Sequence, residues 1–440
     1  MMKNKFNNKT YEEIIKNIEL DEGNAFININ HNAPTIDNPK YIGIKDVHSQ
    51  TMLPTTMGSK MLENYTAPFN STVVQNLIDN GFHILGTLNM DQFAMGSTNK
   101  TSYYGPVDNA TNSEFVSGGS SGGSAYAVAK GLIPFATGTD TGGSIRQPAA
   151  FNGIYGMKPT YGLVSRYGTL PFASSFDVIG PMTKNLKDNA ILLNVLASND
   201  EKDQTNFVPE GFDSLSTFDE SIKGMRIGII KEWMESDIDN EIRTAIENQI
   251  DLLKSLGVEI IELSVPLTKY SFELYLTLAY AEVSSNLNRF DGIKFGINME
   301  KENDSYEKVR SHFGTEVKKR LIIGTYMLAS EHAKEYFHHA QKVRKKISLE
   351  FDEAFNNVDA IIGATTPNLA FSKEDGMSKL ESYLSDQFAI PANLVGFPSL
   401  NIPMGYSKEN LAMGMQIMSN KYQENVIYQI ANAIKGGNNV

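Results

Sequence analysis

The spacing of apolar and polar positions changes period several times along the chain. Thr10–Leu20 repeats at helical spacing, with Thr10 as N-cap candidate. A polar connection containing Asn and Pro runs from there to about Pro39, and Y-I-G-I-K-D (Tyr41–Asp46) then predicts a short buried strand ending on charge. Thr72–Asn80 reads as a helix capped by Ser71 or Thr72 and closed by Gly81, and Phe82–Leu88 as the strand after it. Further on come a helix over Ser121–Lys130, a strand over Leu132–Thr137 and a helix over Lys184–Ala197. Between them, Arg146–Gly168 has the Gly, Pro and aromatic content of a compact, loop-heavy wrapping. Glu201–Ser216 has the composition of a linker.

The second half repeats the alternation. Arg226–Ile230, Asn240–Leu256 and Val258–Val265 form a strand–helix–strand unit. Helical spacing dominates from about Tyr270 to Phe355, and strand patterns return at Val358–Ala364, Ser399–Met404 and Leu411–Met418 before a last helix near Asn425–Lys435. Strands at both ends of the chain flank helices. That arrangement predicts an α/β protein built as one large α/β/α sandwich, not independent beads.

Composition narrows the chemistry. With 440 residues, 41% apolar and 20% charged, the chain has ordinary globular content and room for a large core. No stretch approaches the roughly 18 apolar residues that a membrane span requires. The start, M-M-K-N-K-F-N-N-K-T, lacks the apolar run of a secretory leader, so a cytoplasmic location is expected. There is no cysteine, which removes disulfides, thiolate metal sites and a thiol nucleophile. A net charge of −12 disfavours broad binding to a phosphate backbone, so any nucleic acid is expected to be held by a partner.

The densest candidate chemistry lies between Ser117 and Ser144. Two glycine–serine clusters, Ser117–Gly123 and Gly138–Ser144, bracket an apolar segment. Glycine allows backbone N–H groups to approach a ligand closely, and a helix start adds unpaired donors. Ser144 reads as a nucleophile and the glycines before it as oxyanion donors. A phosphate cradle is a rival reading, but neither a G-K-[ST] ending nor a G-x-G-x-x-G fingerprint is present. A Ser-His-Asp hydrolase is another, yet there is no G-x-S-x-G elbow and none of the seven histidines sits in a motif. His48 is near Lys45, but such loop histidines are ordinarily solvated, as is a lysine at a strand end. A glycine-rich structural turn accounts for either cluster alone better than for the pair. Without histidine, a serine nucleophile needs another base, and lysine is the known alternative.

Lys45-Asp46, G-G-S-S-G-G-S (Gly118–Ser124), G-T-D-T-G-G-S-I-R-Q-P-A (Gly138–Ala149), G-M-K-P-T-Y-G-L-V-S-R-Y-G and F-A-S-S-F-D-V-I-G-P together resemble the amidase signature family. The resemblance extends over most of the chain after about residue 40. It implies a mixed central sheet in a single domain over 1–440, with a signature core at about 41–185 and C-terminal strands from about 358 rejoining that sheet. It also implies Ser144 as nucleophile, Ser120 as bridging serine beside a cis peptide bond, and Lys45 as base. Thr141, Gly142, Gly143 and Ser144 would supply the oxyanion hole. To act as a base Lys45 must be neutral, so its pKa must fall well below about 10.4.

M-D-Q-F-A-M-G-S-T, Ser284–Gly296, Val317–Thr325 and Tyr383–Ser399 resemble the branch of this family that hydrolyses glutamine to feed ammonia to tRNA-dependent amidation. That resemblance maps glutamine recognition onto Tyr275, Arg320 and Asp386, with Arg on the carboxylate and Asp on the ammonium. Taken alone, the three read as a core aromatic, a solvated helix position and a helix cap. No cofactor is implied in this chain. ATP and Mg²⁺ are expected at a tRNA-binding partner, the B subunit of such an assembly, beside a small C subunit. Misacylated Glu-tRNA(Gln) or Asp-tRNA(Asn) would be reached through that partner, with no membrane involved. The alternatives are a stand-alone amidase acting on another carboxamide and a non-catalytic scaffold protein. Three departures from the pattern stand out: a short segment before Lys45, expected to abbreviate the N-terminal helices, Val47 in place of the common Asn, and Ser117 in place of a common Pro.

Overall fold

The structure is a computed structural model that describes residues 9–297, 305–374 and 384–437. The first eight residues, read above for a leader, and Tyr383, which opens the Tyr383–Ser399 stretch, lie outside the described residues. The strands are β1 (Phe26–Ile29), β2 (Lys40–Lys45), β3 (Phe82–Leu88), β4 (Phe135–Asp140), β5 (Tyr155–Lys158), β6 (Val178–Thr183), β7 (Arg226–Ile230), β8 (Glu259–Leu263), β9 (Ala360–Ala364), β10 (Ser399–Tyr406) and β11 (Ala412–Ser419). The described helices are α1 (Tyr11–Glu19), α2 (Thr72–Asp79), α3 (Gly122–Lys130), α4 (Arg146–Asn152), α5 (Leu186–Leu196), α6 (Lys231–Met234), α7 (Asn240–Ser255) and α8 (Ser271–Asn286), then α9 (Tyr306–Ser311), α10 (Thr315–Leu328), α11 (Phe337–Ala354), α12 (Ile390–Val395) and α13 (Glu424–Gly437).

All these strands join one 11-stranded sheet in the order β1-β3-β2-β4-β6-β5-β10-β11-β9-β7-β8. The sheet is mixed. β2 is parallel to β3 and β4, and β7 to β8 and β9, while β4, β6, β5, β10, β11 and β9 run antiparallel to their successive neighbours. Side chains alternate between faces along a strand, and the core divides accordingly. Phe82 and Ile84 of β3 belong to the larger apolar cluster, whereas Leu85 belongs to a second cluster with α1 and α3. Helices therefore cover both faces around β2.

Local chemistry sets the helix starts. Thr10 accepts from the Glu13 N–H (3.2 Å) while the Glu13 carboxylate accepts from the Thr10 N–H (2.8 Å), a reciprocal cap for α1. Ser71 caps α2 through the Val74 N–H.

The backbone departs from the sequence reading at several places. Phe26–Ile29, read as connection, is strand β1, ordered by antiparallel pairing with β3. The strand expected over Leu132–Thr137 instead runs Phe135–Asp140, because pairing with β6 continues to Asp140↔Val178 and carries Gly138 with it. Arg146–Gly168 is not all loop, since it forms α4 and β5. The linker-like stretch is tied down, with Asn206 donating to the Gly162 carbonyl (2.9 Å) and Asp203 accepting from the Arg166 N–H (2.9 Å).

Candidate active site

Lys45 ends β2, the strand held between β3 and β4, and is fully buried. The solvated lysine expected of a strand end is thus not what the fold makes. Its Nζ meets three hydroxyls: Ser120 Oγ at 2.7 Å, Ser121 Oγ at 2.8 Å and Thr139 Oγ1 at 2.8 Å. Burial pushes the Lys45 amine down to about 7, against the opposing pull of Asp91, Asp140 and Asp177. A neutral amine has two N–H donors and one lone pair, so two of the hydroxyls accept and one donates. Ser121 donates to the Thr139 carbonyl (3.3 Å) and so faces Lys45 as an acceptor. Ser120 and Thr139 remain as the hydroxyls able to give a proton to Nζ.

Ser120 is held by its surroundings. The Gly119–Ser120 peptide bond is cis. The Gly119 N–H donates to Gln147 Oε1 (3.0 Å), and Gln147 Nε2 donates to the Ser97 carbonyl and to Ser385 Oγ. A Cβ at Gly119 would stand 2.1 Å from Asp91 Oδ2, so only glycine fits against that carboxylate. Asp91 in turn accepts from Asn99 N–H and from the Thr101 hydroxyl, which fixes the loop after β3 against the serine cluster. His48 is buried, contrary to the solvated position expected, and hydrogen bonds Thr137 and Thr169. Burial lowers its pKa to about 3, so it is neutral.

The second cluster turns between β4 and α4 on a buried ion pair. Arg146 Nε donates to Asp140 Oδ2 (3.0 Å) and Nη2 to Oδ1 (3.0 Å), and both side chains are fully buried. Asn393 and Gln416 complete the guanidinium's contacts. Burial alone would raise the Asp140 pKa, but Arg146, with Lys158 and Asn393, outweighs it and holds the carboxyl well below the usual range. Asp140 Oδ1 also accepts the Gly143 N–H at 2.8 Å. One of the four expected oxyanion donors is thus engaged within the protein, and it shapes the turn.

Ser144 is partly exposed at the mouth of a small pocket whose wall includes Gly142, Tyr275, Arg320 and Asp386. Among the described residues its Oγ has no hydrogen-bond partner, Ser120 included. The fold brings the three distant positions to it from α8, α10 and the segment before α12. Tyr275 packs on Gly142, where a Cβ would lie 2.7 Å from its ring. Arg320 is 5% exposed although Lys318, two residues earlier, faces solvent. Burial would lower its pKa, but Tyr280 and Glu316 outweigh that and hold it charged, with Nε donating to Glu316 Oε1 (2.8 Å). Asp386 is not a side-chain cap: its Oδ1 is buried and has no partner. Burial, then the nearby Asp140 carboxylate, raise its pKa well above the ordinary value.

Sequence reasoning missed Ser121 and Thr139 as Lys45 partners, Gln147 as the tie under Gly119, and the Asp140–Arg146 pair. The only signal for the last was two opposite charges inside a motif otherwise made of Gly, Ser, Thr and one Ile.

A mixed sheet that buries a lysine among serine hydroxyls, below a pocket with a further serine at its mouth, defines a class: an α/β enzyme of the amidase type. Residues 41–427 match the Amidase family, and the chain belongs to it. It is 45% identical over 398 residues to the A subunit of glutamyl-tRNA(Gln) amidotransferase from Neisseria gonorrhoeae, covering 90% of this chain and 83% of that protein. It is 43% identical over 451 residues to the protein of the same description from Koribacter versatilis, covering 96% and 93%. Among solved structures, the A subunit of glutamyl-tRNA(Gln) amidotransferase from Thermotoga maritima superposes with a TM-score of 0.84 at 38% identity, covering 99% of this chain and 96% of that one. Among the described residues no helix is long and apolar enough to cross a membrane.

Proposed function

We propose that this chain is the glutamine-hydrolysing component, the A subunit, of a tRNA-dependent amidotransferase. The observation that carries the reading is one pocket with Ser144 at its mouth and Arg320 and Asp386 on its wall. Glutamine is a zwitterion with a carboxamide at its far end. Arg320 suits its carboxylate, and the unpartnered Asp386 Oδ1 suits its ammonium, which favours the ionised carboxyl on binding. The relatives named above, described as A subunits of glutamyl-tRNA(Gln) amidotransferase, support the amidotransferase reading.

In this mechanism neutral Lys45 takes the Ser120 proton and Ser120 takes that of Ser144. Ser144 Oγ attacks the carboxamide carbon, and the amides of Thr141, Gly142 and Ser144 stabilise the oxyanion, with Gly143 shaping the turn through Asp140. The C–N bond breaks as the proton returns to nitrogen, ammonia leaves, and water cleaves the glutamyl ester to glutamate. Ammonia passes to a tRNA-binding partner, the B subunit, where ATP and Mg²⁺ activate the misacylated end of Glu-tRNA(Gln) or Asp-tRNA(Asn). A small C subunit completes the assembly. The complex works in the cytoplasm.

Glutamine hydrolysis by the chain, with and without its tRNA-binding partner, tests the proposal for wild type and Ser144→Ala. Partner-stimulated turnover that Ser144→Ala abolishes is the expected result. Vigorous hydrolysis of unrelated amides without glutamine turnover would favour a stand-alone amidase, and an unchanged Ser144→Ala rate would remove the nucleophile.

A further inference from the structure

The segment from Pro171 to Asp177 enters β6 and touches the pocket at three points. The Phe176 ring meets the Tyr275 ring edge-on, with centroids 6.1 Å apart. The Phe172 ring lies 5.6 Å from the Arg320 guanidinium. Asp177 accepts a 2.7 Å hydrogen bond from the Thr141 hydroxyl, at the start of the oxyanion turn. This short stretch therefore backs the aromatic wall, the cationic wall and the donor turn together.

Two helices fasten the segment from outside the pocket. Glu282, further along α8 than Tyr275, accepts from the Ser175 N–H (2.9 Å) and from the Ser175 hydroxyl. Arg344, on α11, donates through Nη1 to Ser175 Oγ (3.2 Å) and through Nη2 to the Ser175 carbonyl (3.1 Å). Its Nε donates to the Leu394 carbonyl of α12, the helix that follows Asp386, at 2.7 Å. Its guanidinium also lies over the Phe176 ring, 4.3 Å from the centroid. One planar cation thus joins the ring behind Tyr275 to the helix behind Asp386. A guanidinium offers a rigid plane with several fixed donor directions and a face that stacks on an aromatic, whereas an ammonium offers a single point charge.

We infer that Arg344 is a positioning residue for substrate binding, which acts through Phe176 on Tyr275 and through α12 on Asp386. The inference rests on the glutaminase reading of the pocket. A residue that sets the shape of a binding wall without touching the reacting atoms shifts KM and leaves kcat. Lysine does not replace it, because charge alone does not rebuild the three hydrogen bonds and the stack.

The test is steady-state glutamine hydrolysis by the full chain with its tRNA-binding partner, for wild type, Arg344→Lys, Arg344→Met and Phe176→Leu, alongside their melting midpoints. Both Arg344 variants are expected to raise KM for glutamine about tenfold with kcat within about twofold, and Phe176→Leu to raise KM by a smaller factor. An unchanged KM, with kcat and melting midpoint falling together, would reduce Arg344 to a structural role and overturn the inference. Full rescue by Arg344→Lys would do the same for the planar clamp. Should Arg344→Met not fold, Phe176→Leu decides on the same criterion. A wild type inert towards glutamine overturns the functional reading, and this inference with it, whereas normal wild-type turnover with an unmoved KM in the variants overturns the inference alone.

Discussion

Lys45 and Arg320 are both buried basic side chains, and the protein surrounds them differently. Lys45 Nζ has three hydroxyl neighbours, and among the described residues no carboxylate lies within hydrogen-bonding distance of it. Arg320 has Glu316 on its Nε and the Tyr280 ring against its guanidinium plane at 5.1 Å. Burial opposes charge in both cases. Hydroxyls do not compensate it, so the lysine is brought down to about 7, while the Tyr280 and Glu316 environment more than offsets it and keeps the arginine charged. One neighbourhood suits the proposed base and the other the proposed receptor for an anion. Arg146 shows the limiting case, a cation bonded to Asp140 on two atoms with both side chains out of solvent.

Substitutions that erase one side of this contrast separate the roles. The largest effect is expected from Lys45→Met, which keeps the apolar stem and removes the amine. Glutamine turnover should fall by about 10⁶-fold, close to the loss from removing a nucleophile or its base elsewhere, while the melting midpoint holds or rises. A loss under tenfold would mean that Lys45 is not the base. Next is Asp140→Asn, which leaves the Arg146 charge buried without its partner. It should cost about 3–5 kcal/mol of stability by denaturant unfolding. A stability change below about 1 kcal/mol would show that Asn393 and Gln416 suffice for Arg146. Smaller again, Asp386→Asn should lower kcat/KM for glutamine about a hundredfold, mainly through KM, because the ammonium loses its counter-charge. A variant changed in kcat alone would move Asp386 from recognition to the chemical step.

Lys45 and Arg320 also differ in how far the amino-acid sequence announced them. The proposed base, bridging serine and nucleophile lie in or beside long ordered motifs, so resemblance to the amidase signature family pointed to Lys45, Ser120 and Ser144 together. What the motif does not carry is the reason the lysine titrates low. That reason is the position of β2 between β3 and β4 under two apolar clusters, a property of sheet order. Arg320 follows two lysines and by local pattern faces solvent, and it is buried because α10 packs closely on α8. A Cβ at Gly324 would stand 1.8 Å from the Tyr280 carbonyl. Most strands and helices were legible from periodicity. β6 was not, because Gly180 and Pro181 interrupt its apolar run, and pairing with β4 and β5 makes it a strand. Ser121, Thr139 and Gln147 left no trace in spacing, since a hydroxyl or amide gains its role from what the fold sets beside it.

The central claim is that burial makes Lys45 a base at neutral pH, and the pH dependence of kcat/KM for glutamine tests it most directly. The protonated amine cannot accept the Ser120 proton, so activity is lost below the Lys45 pKa and present above it. The prediction is an acidic limb with its midpoint near 7, levelling off until the glutamine ammonium deprotonates on the alkaline side. A rate that stays flat from pH 8 down to about 5, or that rises only towards the ordinary lysine value of about 10.4, would contradict it.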